Sequence, residues 1–340
     1  MAKKNYQDLK TEVWEKGQCA GCGACIAVCP ADAFYFTAGV NSLYPEHTGY
    51  CKEVMDGVSC GICYEVCPRV NSHNPQKKVI GEYLNIAAAK AAFNIEGKQS
   101  GGAVTAILLN AFEQGLIDAV VTVTEDKWTH HPASVVITSS NILIQQAGSR
   151  YNWWVPLTAA LKEAVITKKY RRIAVVGLPC VTDALKKIRE SKNQLLMPYQ
   201  RAIRLVIGLF CTESFDYHKF IEEKLGREYD IPPWKISRMD VKGKFDLILS
   251  DGQILSLSLK EIEECVRPGC HFCSDFAANN ADISAGAVGS EEGFTTLIIR
   301  TSIGQGFVDS AVQSKRLILN SEIDIKAVEH LATKKMKQMA

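Results

Sequence analysis

Residues 19–30 read CAGCGACIAVCP, which places Cys19, Cys22, Cys25 and Cys29 at C-x2-C-x2-C-x3-C spacing with Pro30 directly after. Iron in a [4Fe–4S] cube takes thiolate ligands. Three cysteines at this short spacing wrap one loop around three corners, while the fourth, followed by proline, reaches a second cube. A second run follows: Cys51, Cys60, Cys63 and Cys67, then Pro68, with the first gap widened to Lys52–Ser59. Crossing the two runs gives the expected ligand sets: Cys19, Cys22, Cys25 and Cys67 for one cluster, and Cys29, Cys51, Cys60 and Cys63 for the other. A pair of structural zinc sites is the competing reading, since C-x2-C pairs are common there. The tandem, proline-terminated runs favour the bacterial two-cluster ferredoxin fold. Gly21, Gly23 and Gly61 suit loops whose amides approach cluster sulfurs and tune their potential.

The rest of the composition agrees with an intracellular redox protein. The chain has 340 residues, 47% of them apolar, which allows one large or two modest cores. Its net charge of +2 argues against nucleic acid as a partner. No apolar run reaches the length of a membrane span, and the start, MAKKNYQ, has no apolar signal stretch. The expectation is a cytoplasmic protein without membrane insertion, able to dock peripherally on a membrane complex. Thirteen cysteines in such a compartment point to metal ligation rather than to disulfides.

Beyond a polar stretch at 71–80, read as a linker, strand-like and helix-like segments alternate. Helices are expected over Ala103–Gln114, with Gly115 as its cap, and over Leu157–Thr167, Val181–Glu190 and Asp216–Leu225. Buried strands are expected at Ala119–Val123, Ile173–Val176 and Leu205–Phe210, so the pattern is that of a mostly parallel sheet covered by helices. Phe245–Leu249 and Ile254–Leu259 flank Asp251-Gly252, a hairpin signal, and Thr295–Ile299 is assigned to the same region. The last forty residues read as helical, with Lys334, Lys335 and Lys337 forming a solvated terminus.

Two apolar strands end alike, in IAVVGLPC (173–180) and LVIGLFC (205–211), so Cys180 and Cys211 fall just past the carboxyl ends of parallel strands, where open α/β sheets gather ligands. Cys270-His-Phe-Cys273 adds a C-x2-C pair. These four either close a third [4Fe–4S] site or are ordinary buried thiols beside a chance pair. The loop KQSGGAVT (98–105) precedes a helix. It suits either a phosphate approached by the Gly101 and Gly102 amides or a plain helix entry capped by Ser100. No G-x-G-x-x-G after a strand and no G-x-x-x-x-G-K-[ST] is present, so no standard nicotinamide fold is visible.

Several stretches together resemble the family of coenzyme F420 hydrogenase/dehydrogenase beta subunits: QSGGAVT (99–105), GSRY (148–151), VGLPC (176–180), GLFCTESF (208–215), KGKF (242–245), PGCHFCSDF (268–276) and ADISAGAVGSEEGF (281–294). With the cysteine-rich start, the layout is similar to the electron-input subunit of archaeal F420H2 dehydrogenases. The resemblance implies a two-[4Fe–4S] ferredoxin domain over 1–75 and an α/β, flavin- and cluster-binding core over 76–340. It implies that Cys180, Cys211, Cys270 and Cys273 hold a third [4Fe–4S] cluster. It also implies FAD, held by Ser100, Gly101, Gly102 and Thr105 with Gly148, Ser149, Arg150 and Tyr151, and with Gly286 and Gly289 lining the region. Ser100, Arg150 and Glu291–Phe294 depart from the family's usual Asp, Lys and Pro-Asp-Gly-Trp. Cys265 matches no ligand position.

The activity so implied is exchange of a hydride between F420 and FAD, with single electrons relayed through the clusters to or from a partner subunit or ferredoxin. A flavin belongs between them because it handles both two-electron and one-electron steps. No catalytic side chain is required by this scheme, and none is assigned. Arg150, Lys242 and Lys244 are candidate anion contacts or ordinary surface charges. The pairs His130-His131 and Trp153-Trp154 are expected to pack. Two other readings are a ferredoxin-dependent reductase of another organic substrate and an electron-relay subunit without a substrate site.

Overall fold

The structure, a computed structural model, describes residues 4–37, 42–70 and 79–337. The 71–80 stretch read as a linker lies outside these except for Val79 and Ile80, as does the boundary expected at 75/76.

An eight-stranded sheet organises the core. Its centre is parallel: Ala119–Glu125, Ile173–Gly177, Ile203–Leu209 and Ile283–Gly286 lie side by side, with Val121 opposite Val175, Val176 opposite Ile207, and Ile207 opposite Ile283. Ile173–Gly177 is buried throughout and Ile203–Leu209 nearly so, so these two read as continuous apolar runs rather than as alternations. Antiparallel strands complete the sheet. Pro132–Ile137 pairs with Ala119–Glu125 at one edge. Thr295–Ile299, Asn85–Ala91 and Leu317–Asn320 follow Ile283–Gly286 at the other. Helices Ala103–Glu113 and Ser302–Gln313 cover one face, and Pro179–Glu190 packs on the other. Proline at the first position of that last helix lacks an N–H where none could be paired within the helix.

Four expectations change. Thr295–Ile299 is an interior strand of the large sheet, not part of the hairpin region. The hairpin itself forms, with Lys244–Leu249 against Ile254–Ser258, and gains Ile236–Val241 as a third strand. The tail read as wholly helical contains the strand Leu317–Asn320 between Ser302–Gln313 and Ile325–Lys337. Lys335 is buried rather than solvated, at 4% exposure.

The cysteine-rich segment is packed into this core. Ala24, Ala27, Val28, Ile62 and Val66 share one apolar cluster with Ala160, Leu161, Val181 and Leu185. Thr158 Oγ1 donates to the Cys22 carbonyl at 2.8 Å, Tyr199 Oη to the Ala27 carbonyl at 2.6 Å, and Lys187 Nζ to the Cys67 and Val70 carbonyls, each at 2.6 Å.

Candidate metal centres and cofactor site

The short helices Ala24–Val28 and Ile62–Glu65 pack on each other and carry the two cysteine runs past one another. Two cavities result. One is lined by Cys19, Cys22, Cys25 and Cys67, the other by Cys29, Cys51, Cys60 and Cys63. Each therefore draws cysteines from both runs, in the crossed sets read from the spacing. Burial pushes the Cys19 thiol up to about 11 and Cys22 up to about 12, and nearby thiolates, Cys67 foremost, add to both. Cys25, Cys60, Cys63 and Cys67 are raised as well, in each case chiefly by burial. So many buried thiols ionise together only against compensating positive charge, and iron supplies that charge. Among the described residues no three His, Cys, Asp or Glu side chains converge on a single-ion site. A four-iron centre instead takes its thiolates around a wider space. The donor sets fit such a centre.

The remaining quartet assembles at the sheet's carboxyl edge. Cys180 opens helix Pro179–Glu190 directly after one parallel strand. Cys211 follows the adjacent one, its N–H donating to the Phe276 carbonyl at 3.0 Å. Cys270 and Cys273 sit on and just after the 3-10 turn Pro268–Phe272, which is anchored by Arg267 N–H donating to the Ser214 carbonyl. Cys180 and Cys211 each rank Cys273 among the charges that raise them after burial, and Cys211 also ranks Cys270, so the four thiols share one electrostatic neighbourhood. Burial takes Cys211 up to about 12. Cys22 is the leading charge on Cys180 after burial. Gly269, next to Cys270, packs on the Cys19 carbonyl, so this loop abuts the cavity lined by Cys19, Cys22, Cys25 and Cys67.

Three cations whose burial the sequence did not signal surround this quartet. Lys335 Nζ donates to the Cys211 carbonyl at 2.6 Å and to the Asp275 carbonyl at 2.8 Å. Arg69 Nη2 donates to the Gly269 carbonyl at 2.9 Å. Arg267 stacks 3.5 Å above the Trp153 ring. Nothing in their sequence context separates them from surface basic residues. Cys265 is buried two residues before Arg267, its thiol directed at the Lys219 carbonyl, outside every quartet.

Several of the stretches assigned to the flavin lie beside one another. Gln99 Nε2 donates to Asp240 Oδ1 at 2.7 Å, Lys242 pairs with Glu292 at 3.2 Å, and Lys90 lies 4.4 Å from the centre of the Phe294 ring. Gly148 stands beside the Gly97 carbonyl. Arg150 is largely buried. Its Nη1 donates to the Gly148 carbonyl at 2.6 Å and its Nη2 to Gln146 Oε1 at 3.2 Å, and its Nε is ion-paired with Glu125 at 3.5 Å. Burial raises Tyr151 to about 12.

The two glycine amides are differently engaged than expected. Gly101 N–H donates to Thr295 Oγ1 at 3.1 Å, and Gly102 N–H to the Gln99 carbonyl at 3.2 Å. Gly101 is required because any Cβ would stand 2.3 Å from the Ala89 carbonyl oxygen. Ser100 is not the cap. Gly102 is, no side chain caps the helix, and Thr105 lies in its first turn. Gly286 packs on the Phe210 ring, and Gly289 on Val328 and Thr296. His130 is held between Glu125 and the Ile236 carbonyl, and His131 stacks on Trp154, so both pairs pack as expected.

Comparison with known proteins is consistent across the chain. Residues 86–162 match the N-terminal region, and 170–325 the C-terminal region, of the coenzyme F420 hydrogenase/dehydrogenase beta subunit, and residues 12–35 match a 4Fe-4S binding domain. An uncharacterized protein of Methanocaldococcus jannaschii is 41% identical, over 99% of this chain and 98% of its own length. A subunit of the F420H2 dehydrogenase of Methanosarcina mazei is 33% identical, over 96% of this chain and 91% of its own length. A chain of the F420-reducing [NiFe] hydrogenase complex from Methanosarcina barkeri superposes with a TM-score of 0.72 at 27% identity, covering 78% of this chain and 92% of that one.

Proposed function

We propose, from the premise that the chain belongs to the family of coenzyme F420 hydrogenase/dehydrogenase beta subunits, that it is the F420-reactive subunit of a larger redox assembly. In this reading FAD exchanges a hydride with F420, and three [4Fe–4S] clusters pass single electrons to or from a partner subunit. Cys180, Cys211, Cys270 and Cys273 hold the cluster nearest the flavin. Cys19, Cys22, Cys25 and Cys67 hold the next, and Cys29, Cys51, Cys60 and Cys63 the outermost. The residues around Gly101-Gly102 and Gly148–Tyr151 position the flavin, with Arg150 and the uncapped start of helix Ala103–Glu113 offering positive charge to its phosphates.

What supports this most is the pair of cavities lined by crossed cysteines, with Cys180 and Cys211 following adjacent parallel strands at the sheet's carboxyl edge. The chain's own residues supply placement and water exclusion. No helix among the described residues is long and apolar enough to cross a membrane. The setting we propose is the cytoplasm, free or docked on a membrane complex.

The test is anaerobic purification of the full chain with iron, sulfide and flavin counted per chain, followed by a reduced-F420-to-viologen assay. About twelve irons, one flavin and viologen reduction are expected. A protein with its irons and flavin that is not bleached by reduced F420 would instead serve another organic substrate. Irons without flavin would mark a relay lacking a substrate site.

A further inference from the structure

The two halves of the molecule exchange arginines. Arg69 leaves the N-terminal segment two residues after Cys67 and spans the two cysteine loops: its Nε donates to the Gln18 carbonyl, next to Cys19, at 3.2 Å and its Nη2 to the Gly269 carbonyl, next to Cys270, at 2.9 Å. Arg267 leaves the core loop three residues before Cys270, whose N–H donates to its carbonyl at 2.8 Å, and reaches back. A Cβ on Gly21, between Cys19 and Cys22, would stand 3.2 Å from its Nη2, which is directed at the Leu43 carbonyl at 3.5 Å. Both are buried, at 9% and 2% exposure. The carboxylate paired with Arg267 is Asp216 at 3.8 Å, and the arginine's Nε and Nη1 have no hydrogen-bond partner. The face of Trp153, itself tied by Nε1 to the Gly21 carbonyl at 3.0 Å, fixes the guanidinium plane.

A guanidinium keeps its charge at any ordinary pH. Buried, it acts over several ångströms with little screening by salt. Adding one electron to a cluster adds one negative charge, so a fixed cation nearby favours the reduced form, and net charge around a cluster is one of the levers on its potential. Each arginine comes from one half and lies against the cysteine loops of both, so each charge acts on both quartets.

We propose that Arg69 and Arg267 form an electrostatic bridge that raises the reduction potentials of the two neighbouring centres together, so that the electron moves between them without a large step. The proposal rests on the electron-transfer reading above. The outermost quartet is a built-in control, because the leading charges on Cys60 are those of Lys52 and Glu53 with its own quartet's Cys29.

The experiment is a redox titration followed by low-temperature electron paramagnetic resonance on the full chain, purified without oxygen, for wild type, Arg267→Gln, Arg267→Lys and Arg69→Gln. In both Gln variants the equilibrium constants for reducing both neighbouring centres should fall tenfold or more, about 59 mV for one electron, and a shift confined to one of the two overturns the shared bridge. Arg267→Lys, which keeps the charge, should stay close to wild type, and one centre should not move in any variant. Unchanged potentials in the Gln variants overturn the proposal. So does a Lys variant that falls as far as Gln, or iron loss in Arg267→Gln, which would assign the residue a structural role. Wild-type protein without iron–sulfur signals would remove the electron-transfer reading itself.

Discussion

Gly269 lies so close to Cys19 that a Cβ on the glycine would stand 2.0 Å from the Cys19 carbonyl oxygen. Backbone meets backbone here, so no rotamer change relieves the contact, and the cysteine loop of one half is seated directly on that of the other. Gly269→Ala should force the loops apart and destabilise the protein by about 1–3 kcal/mol, the usual range for overpacking. Denaturant unfolding measures the loss. A variant as stable as wild type would mean that the contact yields freely.

Arg300 is another buried arginine, and its role is structural. Its Nη1 donates to the Ile80 carbonyl at 2.8 Å and the Glu82 carbonyl at 2.9 Å, Nη2 to the Ala277 carbonyl at 3.0 Å, and Nε to Ser284 Oγ at 2.7 Å. Burial lowers its pKa to about 10, which still leaves it charged at neutral pH. Arg300→Ala would strand several carbonyls in the core, each costing about 1–3 kcal/mol. We expect a drop of at least about 3 kcal/mol in unfolding free energy, read by chemical denaturation.

His130 gives the fold a pH dependence. Burial opposes its charge, but the hydrogen bond and charge of Glu125 outweigh this and raise its pKa above the ordinary 6.5. A raised folded-state pKa stabilises the protein fully below the unfolded value and ceases to do so as pH climbs through the folded value. His130→Gln should therefore cost more stability at about pH 6 than at about pH 9. Denaturation curves at the two pH values decide it, and equal losses would show that the charge contributes nothing.

Arg150 bears on the flavin reading without touching the irons. Its guanidinium is largely buried beside Gly148, one of the stretches assigned to the flavin, and its ion pair with Glu125 is long at 3.5 Å. Arg150→Met should weaken flavin binding about tenfold, or about 1.4 kcal/mol, while iron per chain stays constant. Flavin retained at wild-type affinity would detach this residue from the cofactor.

The cysteine spacing carried the crossed quartets into view because short-range spacing is all that such loops need. The ends of IAVVGLPC and LVIGLFC likewise placed Cys180 and Cys211 at one sheet edge, since a fully buried parallel strand has a recognisable apolar run. Partner choice was less legible. Thr295–Ile299 has the same composition whether it joins a hairpin or the main sheet, and only its pairing with Ile283–Gly286 and Asn85–Ala91 decides. Asn85–Ala91 itself, NIAAAKA, has the alanine content of a helix and becomes a strand because both its flanks are paired. Arg69, Arg267 and Lys335 were invisible as buried cations, because burial of a basic residue depends on what folds over it.

The apolar cluster joining Ala24, Val28, Ile62 and Val66 to Ala160, Leu161 and Tyr199 has a consequence for the molecule's modularity. A ferredoxin-like unit suggests a cassette that could be excised or grafted elsewhere. Here excision would wet the inner surfaces of both pieces. Conversely, a chain severed anywhere between Val70 and Val79 would remain one particle, its fragments clasped by the same contacts that seat Cys19 on Gly269.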